Sequence, residues 1–260
     1  MSQLLIQSVV DMFNDLKKFA HNRDFGYEIL DFALPMNLDD EGEYTRRLEF
    51  YKDRIGGEFC SLHGVFNDMR LSSPDPKIRE VAQNRLEHCC QIADKLKLDR
   101  IVFHTNYIPQ VSHPRYISSW EQRNADFFTN IIEKYQVDVL LENVFDFSPE
   151  PLAGLMQRVN SDRINVCFDI GHYNIHSRVD LQTWFKVLGN NIKYLHINDN
   201  DGMRDTHSII GEGSINWQKF SSLLASLDLS PPTVMEVEVG NLEAIKKSLA
   251  YLERNEIYPC

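Results

Sequence analysis

The sequence predicts an α/β chain that folds as one (β/α)8 barrel, the TIM-barrel architecture, over residues 1–260. Three observations predict it. Eight short apolar runs alternate with eight stretches of helical periodicity. The runs are apolar on both faces, as parallel strands buried under helices on both sides are. No linker, low-complexity tract or change of composition divides the chain, and eight such units close on themselves. An open doubly wound sheet is the competing arrangement, but no GxGxxG or GxxxxGK[ST] motif accompanies it.

Leu4 to Val10 reads as the first strand, followed by a helix over 11–20 with Met12, Phe13, Leu16, Phe19 and Ala20 at helical spacing. Gly26 to Phe32 is the second strand, and the helix over 43–55 turns Leu48, Phe50, Tyr51 and Ile55 to one side. Glu58 to His63 is the third strand. The long helix from Pro76 to Leu98 starts on a proline suited to a first turn, and Ile78, Val81, Ala82, Leu86, Cys89, Cys90, Ala93 and Leu96 form its apolar stripe. Arg100 to His104 is the fourth strand, with a helix from Ser119 to Tyr135 behind it. Val137 to Glu142 is the fifth strand and Pro149 to Val159 its helix. Ile164 to Asp169 is the sixth, with a helix from Asp180 to Leu188. Ile192 to Ile197 is the seventh, with a helix from Trp217 to Leu227. Thr233 to Val237 is the eighth, and Asn241 caps a last helix striped by Leu242, Ile245, Leu249 and Leu252.

Composition narrows the function. The net charge of −11 repels a phosphate backbone, and no Lys/Arg cluster offsets it, so no nucleic-acid partner is expected. No apolar run approaches the ~20 residues of a membrane span, and no basic region precedes an apolar segment at the start. Five cysteines without CxxC spacing read as reduced thiols, which points to a cytoplasmic protein. A homo-oligomer is compatible with all of this.

Active sites of such barrels lie at the C-terminal ends of the strands. His63, His104, Glu142, Asp169, His196 and Glu236 end strands three to eight in turn, and His172, Asp205 and His207 follow in the loops. Five of the nine histidines fall in this set. Any one alone reads as a hydrogen-bonded surface residue or a helix cap. Glu142 resists that reading, because Val139-Leu140-Leu141 delivers it from a buried strand, where a carboxylate needs a cation or strong donors. Imidazole and carboxylate together suit a divalent ion. His21, His88, His113 and His176 have no such placement. Glu238 shares the inward parity of Glu236, and Glu236 is preferred because it follows the apolar run directly. Gly211 and Gly213 either permit loop turns or shape the site.

The stretches Phe103-His104-Thr105, Leu141-Glu142-Asn143, Phe168-Asp169-Ile170-Gly171-His172, His196-Ile197-Asn198-Asp199, Asp205-Thr206-His207, Gly211-Glu212-Gly213 and Met235-Glu236-Val237 resemble the xylose isomerase-like barrel superfamily. That superfamily includes sugar isomerases and epimerases and the endonuclease IV type of abasic-site nuclease. In the isomerase branch, the resemblance implies one divalent ion on Glu142, Asp169, His196 and Glu236, with the two glutamates as acid and base. In the nuclease branch it implies three zinc ions on His63, His104, Glu142, Asp169, His172, His196, Asp205, His207 and Glu236, all of which are present.

The expected function is therefore a metal-dependent sugar isomerase or epimerase, acting by proton transfer through an enediolate, with a small sugar as its substrate. Its cofactor would be manganese, zinc, magnesium or cobalt, as one ion or more than one. His63, His104 and His172 would bind sugar oxygens or a further ion, and Tyr107, Phe145 and Trp217 would supply apolar walls. The alternatives are a trinuclear-zinc phosphodiesterase or a sugar-acid or inositol lyase on the same site.

Overall fold

Eight parallel strands close into a barrel in sequence order: β1 (Leu4–Ser8), β2 (Phe25–Ile29), β3 (Cys60–His63), β4 (Arg100–His104), β5 (Asp138–Glu142), β6 (Ile164–Asp169), β7 (Ile192–Ile197) and β8 (Thr233–Met235). β8 pairs with β1, Met235 beside Ile6, which completes the ring. The computed structural model describes residues 3–20, 23–56 and 59–259. Glu58, His21 and Cys260 lie outside them. The (β/α)8 barrel expected from the sequence is the fold observed.

The helices are α1 (Val10–Ala20), α2 (Pro35–Asp39), α3 (Glu41–Lys52), α4 (Pro76–Leu96), α5 (Pro114–Lys134), α6 (Glu150–Val159), α7 (Ile170–His176), α8 (Leu181–Leu188), α9 (Trp217–Ser226) and α10 (Leu242–Arg254). Local signals set their starts. Side-chain oxygens of Asp75, Asp180, Asn216 and Asn241 accept backbone N–H groups in the first turns of α4, α8, α9 and α10. The longer helices then bury one stripe on the barrel. In α10, Ile245, Leu249 and Leu252 are almost fully buried, each worth about 2 kcal/mol of hydrophobic stabilisation. No helix among the described residues is long and apolar enough to cross a membrane. Cys60, Cys89, Cys90 and Cys167 are buried, and Cys89, Cys90 and Cys167 are free thiols.

The structure corrects several boundaries. β1 ends at Ser8 rather than Val10, and β2 ends at Ile29 rather than Phe32. Both are cut short by Asp31, whose buried carboxylate accepts the Val10 N–H at 2.9 Å and also pairs with Arg47 and the Tyr51 hydroxyl. That knot pins α1 and α3 to the end of β2. α5 begins at Pro114, five residues before the Ser119 expected, because His113 Nδ1 accepts the Arg115 N–H and caps it. α2 and α7 are additional helices, each too short to show a stripe in the sequence. His172 consequently sits in α7 and not in a loop.

Inside the barrel, the side-chain period of two stacks a filling layer beneath a polar one. Leu5, Val102, Leu140, Cys167, Tyr194 and Val234 pack together as one interior cluster. The residue two positions further along each of these strands is Gln7, His104, Glu142, Asp169, His196 and Glu236. On β2 the corresponding pair is Gly26 and Glu28, and on β3 it is Ser61 and His63. Gly26 is required there: a Cβ would lie 2.4 Å from the Phe59 carbonyl and 2.9 Å from Leu5 Cγ.

Candidate active site

The polar layer converges on Glu142 and His196. Glu142 Oε2 lies 3.4 Å from His63 Nε2, 3.4 Å from His104 Nε2 and 3.5 Å from His196 Nδ1, while Oε1 lies 3.0 Å from His172 Nδ1. His196 Nδ1 also lies 3.2 Å from Glu236 Oε2. Register brings these groups together, with His104 beside Glu142 and Asp169 beside His196 across adjacent strands. Glu142, Asp169, His196 and Glu236 are all buried. Above them opens a cavity of about 240 Å³, lined by the site histidines and carboxylates other than His196 and Asp169, together with Gln7, Leu30, Phe66 and Val239.

The fold brings all nine expected residues together. With Glu28 they form four compact groups of potential ligands among the described residues, each with its atoms within 4.8 Å of one another: Glu142, Asp169, His196 and Glu236; His63, His104 and Glu142; His172, Asp205 and His207; and Glu28, His63, His196 and Glu236. Glu236, not Glu238, is the β8 carboxylate of the site. Glu238 is exposed and accepts a hydrogen bond from Asn241 Nδ2 at 2.7 Å.

A buried aspartate builds the loop between β7 and α9. Asp199 accepts from the N–H groups of Asn200 and Gly211 at 2.9 Å and of Ile215 at 3.3 Å, and from Trp217 Nε1 at 2.9 Å. These bonds fold the loop back so that Asp205 meets His172 Nε2 at 3.2 Å and His207 Nε2 at 3.3 Å. Gly213 permits the fold: a Cβ there would lie 2.1 Å from Asp199 Oδ1. His207 holds a positive φ of 46°, a costly conformation for a side chain of its size, and is clamped by Nδ1 on the Glu236 carbonyl at 2.8 Å.

The three expected apolar walls fail here. Trp217 is not a wall of the cavity, because its ring is buried in the core and its N–H is given to Asp199. Tyr107 is also buried away from the cavity, packed on Trp120, and Phe145 is exposed against His176. Leu30, Phe66 and Val239 are the apolar lining instead. Sequence reasoning also missed Gln7 and Glu28. Gln7 Nε2 donates to Glu236 Oε1 at 2.9 Å. Glu28 is fully buried, with Oε1 3.1 Å from His196 Nε2. Each stands inside a strand and not at its end, and period-two parity was the signal for both.

The family model described as Xylose isomerase-like TIM barrel matches residues 19–255. The chain belongs to this family. Among its relatives, the uncharacterized protein MJ1311 of Methanocaldococcus jannaschii is 27% identical over 255 residues, covering 92% of this chain and 83% of that one. A probable endonuclease 4 of Persephonella marina is 22% identical over 259 residues, covering 88% and 91%. The TTHB071 protein of Thermus thermophilus, in a structure soaked with ZnCl2, superposes with a TM-score of 0.77 at 24% identity, covering 96% of each chain. A D-tagatose 3-epimerase-like protein superposes with a TM-score of 0.76 at 22% identity, covering 98% and 97%. The two structural likenesses establish a shared fold.

Within this xylose isomerase-like barrel the donor set fits a divalent ion. Glu142 Oε2 and both ring nitrogens of His196 are buried without a hydrogen bond, an arrangement that a bound cation would satisfy. The electrostatics point the same way. Burial pushes the Glu142 carboxyl up, but His104, His196 and His172 outweigh it and hold the group well below the usual range. Burial likewise raises Glu236, and His196 and His207 bring it down to about 2. Asp169 differs: burial dominates, and despite His172 its carboxyl rises to about 7. Burial also drives the His104 imidazole down to about 3, leaving it neutral and able to act as a ligand.

Proposed function

We propose that the protein is a divalent-metal-dependent sugar isomerase or epimerase that moves a proton at a carbon next to a carbonyl. One observation carries this reading: two buried carboxylates at the ends of different strands, Glu142 and Glu236, face the same nitrogen, His196 Nδ1, at 3.5 and 3.2 Å on the floor of a small cavity. Glu142, Asp169, His196 and Glu236 would hold the ion, which when bound polarises a carbonyl oxygen and so acidifies the neighbouring C–H.

Both glutamates are ionised at neutral pH and therefore able to accept a proton. One takes the proton from carbon on its own face of the sugar. The other, after taking up a proton from solvent, returns it to carbon from its side, which inverts that centre or, with a proton passed from the neighbouring hydroxyl to the carbonyl oxygen, moves the carbonyl along the chain. Gln7 holds Glu236 Oε1 and leaves Oε2 for this work. His172 lines the same cavity, held by Asp205 on Nε2 at 3.2 Å and by the Asn143 carbonyl on Nδ1 at 3.0 Å. No lysine or arginine is among the residues lining the cavity, which favours an uncharged sugar over a phosphorylated one. The likeness to a D-tagatose 3-epimerase-like fold supports the same class. The test is proton NMR of candidate ketoses in D2O: deuterium entering at a sugar carbon, in step with turnover, is the expected result.

A second reading, phosphodiester hydrolysis on several ions, is favoured by the compact groups His63–His104–Glu142 and His172–Asp205–His207 and by the probable endonuclease 4 relative. Against it stand the net charge of −11 and the absence of lysine and arginine among the described residues that line the cavity. Cleavage of abasic duplex DNA without carbon-bound exchange in any ketose would install it instead.

A further inference from the structure

We propose that Glu28 is a positioning residue that fixes the proton of His196 on Nε2 and so presents Nδ1 to the metal. This rests on the reading of His196 as a metal ligand. Glu28 lies on β2, beside Gln7 of β1 and Ser61 of β3. Glu28 and His196 are both fully buried, so neither exchanges its partner for bulk water.

The argument follows a chain of donors. Ser61 Oγ donates to Glu28 Oε2 at 3.0 Å. The hydroxyl has one proton, so its 2.7 Å contact with Tyr194 OH must be one in which Tyr194 donates. Tyr194 and Ser61 thus direct two hydroxyl protons toward Glu28 and hold it as an acceptor. Its Oε1 remains, 3.1 Å from His196 Nε2. Oε1 and both ring nitrogens of His196 make no directional hydrogen bond as the ring stands. Three unsatisfied buried atoms are costly. One arrangement settles all three: a cation on Nδ1, on the side of Glu142 and Glu236, and a proton on Nε2 given to Glu28. A carboxylate behind a ligating histidine fixes its tautomer and strengthens it as a donor to the metal.

The test has two parts. Long-range 1H–15N correlation spectra of the Zn2+-loaded protein, with the ring signals assigned by their loss in His196→Gln, should show His196 protonated on Nε2. Zn2+ titration of the metal-free protein should show Glu28→Gln weakened by about 10-fold and Glu28→Leu by up to about 100-fold. The Nε2 proton of Glu28→Gln should also move upfield. Gln keeps the shape, so a role in packing alone would leave both readouts unchanged, and that result overturns the inference. So does a wild-type spectrum with the proton on Nδ1, which needs no variant to fold. A wild-type protein that binds Zn2+ but shows the wrong tautomer overturns only the role of Glu28. One that binds no Zn2+ overturns the metal reading as well.

Discussion

His207 Nδ1 bonds the backbone carbonyl of Glu236 at 2.8 Å, and the Glu238 N–H returns a bond to the His207 carbonyl at 2.9 Å. The β7–α9 loop is therefore fastened to the end of β8, at the residue proposed as an acid or base. A ligand in the loop and a carboxylate on the barrel hold their relative positions through backbone bonds as well as through any ion between them.

Glu236→Gln keeps the shape and one oxygen for the metal but removes the base. Turnover should fall by roughly 10²- to 10⁴-fold, the usual worth of a positioned general base. Metal should still bind, more weakly, on Glu142, Asp169 and His196. Steady-state rates beside a metal titration separate the two effects, and undiminished exchange of carbon-bound deuterium would show that Glu236 is not the base.

Removing the metal should abolish activity, and adding it back should restore it. Because an ion binds the folded site and not the dispersed ligands of the unfolded chain, it should stabilise the fold by about 2.7 kcal/mol at a free concentration 100 times its Kd. Thermal unfolding with chelator and then with excess Zn2+ or Mn2+ reads this. Full activity after exhaustive chelation, with no metal left by elemental analysis, rejects the dependence.

Asp199→Ala should cost about 3 kcal/mol, because it strands the four buried or half-buried donors that the carboxylate now satisfies. Asp199→Asn keeps one acceptor oxygen and should cost less. Urea unfolding measures both. The loop that carries Asp205 and His207 should loosen before the barrel does, seen as faster amide exchange over residues 205–215.

Asp146, in the turn after β5, supplies a pH dependence. Burial raises its carboxyl to about 7, although the Val144 N–H bond at 3.0 Å pulls it down. The folded state thus keeps a proton that the unfolded state releases from about pH 3.8 upward. Stability from this group is full below that pH and is lost as pH rises through about 7. Asp146→Asn cannot ionise, so the drop in stability between pH 5 and pH 8 should be smaller than in wild type by a few kcal/mol. Equal drops in the two proteins, by urea unfolding at each pH, would show that Asp146 ionises normally in the fold.

The alternation of apolar runs and helical stripes determined the barrel from the sequence alone, because each unit must bury its own apolar face and eight of them leave no open edge. β4, β6 and β7 begin and end where their residues predict, since apolar runs there stop on His104, Asp169 and Ile197. Six of the nine candidate ligands stand out for the same reason: a polar residue that closes a buried strand has only the barrel mouth to face, whereas His172, Asp205 and His207 lie beyond the strand ends. Tertiary structure alone decided the rest. Glu28 sits mid-strand, and only closure of the ring brings β2 across to His196 on β7. Trp217 looked like a wall until Asp199, 18 residues earlier in the chain, proved to hold its N–H. The choice between Glu236 and Glu238 fell to the backbone: β8 ends at Met235, and the chain turns at Glu238 with a φ of +31°, carrying that carboxylate outward to solvent. Periodicity records which face a residue presents to its own strand's neighbours. Which residues from distant strands meet is set by register and closure, and no single segment encodes those.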